Sequence, residues 1–149
     1  MSIETLRILF NRDLSRLINE MNQYTNEADI WKVDKKITNS AGNLCLHLIG
    51  NLNTYIGKEL GNTGYVRNRE LEFSSKGVSR QELCHRIADT INVINATLDK
   101  LDERALPLEY PVLVFEEKTS TEFLLTHLTT HLTYHLGQVN YHRRLLSVE

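Results

Sequence analysis

Three histidines spaced four residues apart, His127, His131 and His135, are the part of this sequence whose type and spacing point most directly to chemistry. On a helix each step of four turns the side chain by only about 40°, so neighbouring members stand one turn apart on one face and can chelate an ion. His127 and His135 are about 12 Å apart in rise and cannot share one ion at Zn–N bonds near 2 Å, so a single adjacent pair is used. With His131 as the origin, the apolar residues Leu124, Leu128, Leu132, Val139 and Leu146 centre near about +70°, His135 falls near about +40° and His127 near about −40°. Metal sites in helical bundles are built from inward-facing side chains, which selects His131 and His135.

A third ligand has to come from another helix, and His47, one residue before Leu48, is the candidate. Three neutral imidazoles with an open fourth position are what catalytic zinc and related divalent ions use. Asn51, four residues after His47, and Gln138, three after His135, are candidates to orient those histidines or an ion-held water. The same residues also fit a core in which each imidazole and amide merely satisfies its hydrogen bonds, and spacing alone leaves both readings open. His85 and His142 are expected to face solvent or a dimer edge. Arg67 and Arg69 read as solvated loop charges, with an anionic substrate as the functional alternative. Trp31 and Tyr55 read as core packing or as the mouth of a pocket.

Other chemistries lack their residues. A carboxylate-bridged di-iron bundle needs Glu-x-x-His on two helices, and the spacing occurs once, at Glu82 and His85. The His-Glu-x-x-His of metalloproteases is absent, as are a serine-nucleophile motif, a phosphate-cradling glycine loop and a flavin fingerprint.

The elements that must position these residues are helical. Both prolines, Pro107 and Pro111, lie late in the chain, and strand-like alternation is scarce. Leu6, Phe10, Leu14, Leu17, Met21 and Tyr24 predict a first helix over 2–24. Ser40 is the N-cap of a second helix that runs to about Gly57 and carries His47. Ser79 and Glu82 form a capping box ahead of a third, whose apolar steps run from Leu83 to Leu101. Thr119 and Glu122 form another ahead of a fourth helix reaching about Leu146. Between them lie 59–78, a connection without sustained period and longer than bundle loops usually are, and 102–118, where Tyr110 to Phe115 read as an extended segment. Four amphipathic helices in 149 residues predict one all-α domain over 1–149, a four-helix bundle with a long crossover connection.

Seventeen Lys plus Arg against nineteen Asp plus Glu leave a net charge of −2, without the basic excess that nucleic-acid binding needs. No apolar run approaches the roughly 20 residues that span a bilayer, so no membrane partner is expected. Met1-Ser2-Ile3-Glu4 lacks the basic start and apolar stretch of a signal peptide, and the expectation is a cytoplasmic protein with Cys45 and Cys84 as free thiols.

Two segments carry a resemblance. His131-Leu-Thr-Tyr-His135-Leu-Gly137-Gln138, with Asn43-Leu-Cys-Leu-His47-Leu-Ile-Gly50-Asn51-Leu52, resembles the DinB-like (YfiT-like) superfamily of metal-dependent enzymes. The loop Arg67-Asn-Arg69-Glu-Leu-Glu72-Phe73 and the tail from Asn140 to Leu145 look like one bacterial subfamily of it. The resemblance implies an up-up-down-down four-helix bundle, a homodimer, and a divalent metal, nickel or zinc, on His47, His131 and His135. It also implies a small-molecule substrate, for some members a low-molecular-weight thiol, and a reaction of the hydrolase or thiol S-transferase type. A non-catalytic small-molecule-binding or stress-response dimer with a structural metal is the alternative. The broad arc of leucines on the last helix, about −40° to 140°, adds weak support for a dimer.

Overall fold

Ser2 starts the first helix, α1 (Ile3–Gln23), by accepting from the Thr5 amide at 3.0 Å, and the stripe from Leu6 to Met21 is buried throughout. The structure is a computed structural model that describes residues 2–147. After a 3₁₀ turn at Glu27–Trp31, Ser40 caps α2 (Ala41–Leu52) by accepting from Asn43 N. All twelve residues of α2 are buried, so this helix is surrounded by others and any polar group on it must find a partner inside the protein. A π-helical turn, Asn53–Lys58, extends it past Gly57 as expected.

The connection 59–78 contains a helix that periodicity did not signal, α3 (Arg69–Ser74), capped by Asn68. Six residues are too short to display a 3.6-residue period. α4 (Arg80–Lys100) begins where predicted, at Ser79, although the Glu82 carboxylate receives Arg86 at 2.8 Å in place of a reciprocal cap. α5 (Thr121–Leu146) is capped by Ser120, whose Oγ accepts from Phe123 N, so the predicted cap at Thr119 was one residue early. Its cause is the short pairing of Tyr110 N with Thr119 O and Thr121 N with Leu108 O, which keeps Thr119 in an extended ladder contact. That contact belongs to one of two isolated bridges, and the described residues contain no strand.

α1 packs against α4 and α5, while α2 packs against α3, α4 and α5. One apolar cluster draws on all four long helices. Leu124, Leu125, Leu128, Leu132 and Leu136 are all buried, because α5 faces both α1 and α2. The broad leucine arc is therefore used within the chain and does not itself argue for a partner. No helix among the described residues is long and apolar enough to cross a membrane.

Trp31 is a packing residue: its ring lies where a Cβ on Gly42 would come within 2.6 Å, and its indole N–H donates to Val78 O. Tyr55 is partly buried against the core, and its carbonyl accepts from the Tyr110 hydroxyl.

Candidate metal centre

His47 sits in the middle of α2, and His131 and His135 sit on α5 where the two helices pack. One nitrogen from each lies within 4.8 Å of the others, and among the described residues these three form the group of ligand-type side chains able to hold an ion. His47 Nε2 is 3.3 Å from His131 Nε2. His127 stands outside this group. It is half-buried, its ring 6.2 Å from that of His131, with its edge against Phe115.

The far nitrogens show which way the rings are turned. His135 Nδ1–H donates to Gln138 Oε1 at 2.7 Å, which leaves Nε2 as the lone-pair nitrogen. His47 Nδ1–H donates to Glu72 Oε1 at 3.0 Å, with the same consequence. Asn51 is buried, and its Oδ1 has no hydrogen-bond partner among the described residues. The His131 Nδ1 is likewise buried without a partner.

Glu72 was given no role by the sequence, yet it is 5% exposed and carries the heaviest polar traffic of the site. Arg67 grips it through two bonds, Nε to Oε2 at 2.8 Å and the terminal nitrogen to Oε1 at 2.9 Å. The backbone of Glu72 is held too. The Asn43 amide on α2 donates to both Glu72 O and Ser75 O at 2.9 Å, while its own oxygen accepts from Ser40 and Lys76. Phe73 lies against the His47 ring at 5.0 Å between centroids. The features that could have revealed Glu72 are an overlong connection and an arginine five residues before a glutamate. Neither is specific without the fold.

Arg67 is therefore an internal ion-pair residue, not a solvated loop charge, whereas Arg69 is exposed. His85 is exposed beside Asp89, as expected. His142 is not: it is 3% exposed, accepting from the Tyr24 hydroxyl at Nδ1 and donating from Nε2 to Lys32 O. The chain around Trp31 folds over that end of α5 and covers it.

Burial, then the neighbouring imidazoles of His135 and His47, pushes His131 down to about 4. Burial lowers His135 as well, against the opposing Gln138 hydrogen bond. Burial alone would raise Glu72, but hydrogen bonds from His47 and Arg67 and the guanidinium charge hold it below the ordinary carboxylate range. His131 and His135 are thus neutral and Glu72 ionised at neutral pH, the protonation state that ion binding requires.

A model of the family described as "protein of unknown function (DUF1572)" matches residues 3–149. The chain belongs to the DUF1572 family. A search of curated proteins finds no match to this DUF1572 chain. Among solved structures, a crystal structure of "the conserved protein of locus from Enterococcus faecalis" is similar, with a TM-score of 0.76 and 15% identity, covering 98% of this chain and 97% of that one. At that identity the likeness concerns the fold alone.

Proposed function

We propose that this DUF1572 chain is a DinB-like four-helix bundle of α1, α2, α4 and α5, with 59–78 as its long crossover, and that it is a metal-dependent enzyme of the hydrolase or thiol S-transferase type. The observation that carries the reading is the convergence of His47, His131 and His135, with the far nitrogens of two of them already engaged. The donor set fits a divalent ion, nickel or zinc, because two ligands about 2.05 Å from a tetrahedral centre stand about 3.3 Å apart. The His47 and His131 nitrogens have that separation.

Held by three neutral imidazoles, such an ion would keep its charge and lower the pKa of a bound water or thiol, supplying a nucleophile near neutral pH. The chain's own residues do the rest. Glu72 and Gln138 hold the two imidazoles in place through Nδ1. A cavity of about 430 Å³ opens beside His135 and Gln138, walled in part by Ile37, Leu44, Tyr134 and Tyr141. Its size and mixed lining suit a small organic molecule. A homodimer in the cytoplasm belongs to the same reading. Phe123, Tyr134, Tyr141 and Leu145 on α5 are more than half exposed and supply apolar surface for a second copy.

Elemental analysis of untagged protein, followed by turnover assays with low-molecular-weight thiols and electrophiles, tests the proposal. Stoichiometric metal with metal-dependent turnover is expected. Metal without turnover would favour a non-catalytic binding protein, and protein that takes up no nickel or zinc would overturn the reading.

A further inference from the structure

Gly50 lies one turn after His47 on α2, and a Cβ built there would come within 1.9 Å of Glu72 Oε2 and 2.6 Å of its carboxyl carbon. The missing side chain at Gly50 is the opening through which the Glu72 carboxylate reaches His47, as the one missing at Gly42 makes room for Trp31. Arg67 closes the arrangement from the other side by binding both carboxylate oxygens. We propose that Glu72, clamped by Arg67 and admitted by Gly50, is a positioning residue that holds His47 as the Nδ1–H tautomer, its Nε2 lone pair turned toward His131 and His135.

The chemistry follows from what each group can do. An ionised carboxylate only accepts, so a bond of 3.0 Å to His47 Nδ1 places the hydrogen on that nitrogen. The other nitrogen, facing His131 at 3.3 Å, is then free to ligate without first losing a proton. Glu72 meets the imidazole at the nitrogen opposite the one that faces His131 and acts through His47. The connection 59–78 thereby acquires a purpose: it carries both Arg67 and Glu72, and Asn43 anchors its helix to α2.

The affinity arm of the test rests on the metal reading, and the tautomer arm does not. Two variants alter the positioning while leaving all three histidines in place. Glu72→Gln keeps the shape and removes the charge. Gly50→Ala displaces the end of a flexible side chain, and alanine favours a helix more than glycine does, so weakened helix formation would not explain a loss. Long-range ¹H–¹⁵N spectra of metal-free protein, with His47 assigned by its absence in His47→Ala, should show the Nδ1–H tautomer in the wild type and a tautomer mixture in both variants. Zinc titrated against a competing chelator should show affinity reduced roughly 10- to 100-fold in each variant. The double variant should lose little more than the worse single one, because both act through one carboxylate. An unchanged His47 tautomer in Glu72→Gln, or zinc affinity within about threefold of wild type in both variants, would overturn the proposal. Wild-type protein that binds neither zinc nor nickel would instead sink the metal reading, with the tautomer spectra still deciding the role of Glu72.

Discussion

His47 Nε2 on α2 and His131 Nε2 on α5 stand 3.3 Å apart, although 84 residues separate them in the chain. That distance matches the spacing of two imidazole ligands on one tetrahedral ion. It exists because α2, buried on every side, packs its His47 face against the His131 and His135 face of α5.

His47→Ala, His131→Ala and His135→Ala are each expected to abolish stoichiometric metal binding, since two imidazoles hold a labile first-row ion weakly. His127→Ala should spare it, its ring lying outside the group. Metal content after purification and isothermal titration would read this out. Equal losses in His127→Ala and His135→Ala would contradict the assignment.

Removing the metal should lower the melting temperature without unfolding the chain. The core of Leu6, Phe10, Leu14, Leu48, Leu52 and their neighbours is complete without an ion, so the metal-free protein stays helical. An ion at 100 to 1,000 times its dissociation constant contributes roughly 3–4 kcal/mol, or about 5–15 °C in a domain of this size. Circular dichroism melts with and without chelator at pH 7.5 provide the check. Loss of helicity on chelation would show a structural metal.

The metal-free protein should itself weaken as pH falls from about 6.5 toward 4. His131 titrates near 4 in the folded state and near about 6.5 unfolded, so between these values the unfolded chain binds more protons. Its contribution is complete above about 6.5 and is lost through that window. His135 and His142, both lowered by burial, act in the same direction. Glu72 and Asp13, both lowered carboxylates, lose their contributions only at still more acid pH. Protons therefore compete with metal at His131 and His135 less than ordinary imidazoles would, and the chelator effect should persist to lower pH, fading as pH approaches about 4. Urea midpoints at pH 7.5, 5.5 and 4.5 in chelator measure the trend, and a constant midpoint would refute it.

Tyr24→Phe should cost about 1–3 kcal/mol while leaving metal affinity unchanged. The Tyr24 hydroxyl donates to His142 Nδ1 at 2.6 Å, and without it that nitrogen is left buried and unpaired. His142 is not among the three clustered histidines. Parallel urea unfolding and zinc titration of the variant separate the two effects, and a weakened site would join His142 to the metal centre.

A dimer is expected in sedimentation velocity at micromolar protein. Tyr134→Asp and Tyr141→Asp, both exposed positions on α5, should shift it toward monomer without loss of helicity. A monomer in the wild type would remove the dimer from the proposal.

The four long helices, two of their four N-caps and the separation of His131 and His135 from His127 were legible in the sequence alone. Each of these is a local matter: a serine reaching an amide three residues on, or a period of 3.6 that sets one face against another. His47 was legible as a candidate because it neighbours the apolar stripe of α2. The remaining features depend on groups distant in sequence. Glu72 meets His47 across 25 residues through the gap at Gly50, and nothing local marks that glycine as an opening. His142 is buried because the segment around Lys32 folds over the end of α5. Periodicity records which face of a helix is apolar, but not which other segment comes to cover it, and the partners of the site's polar groups are set by that second fact.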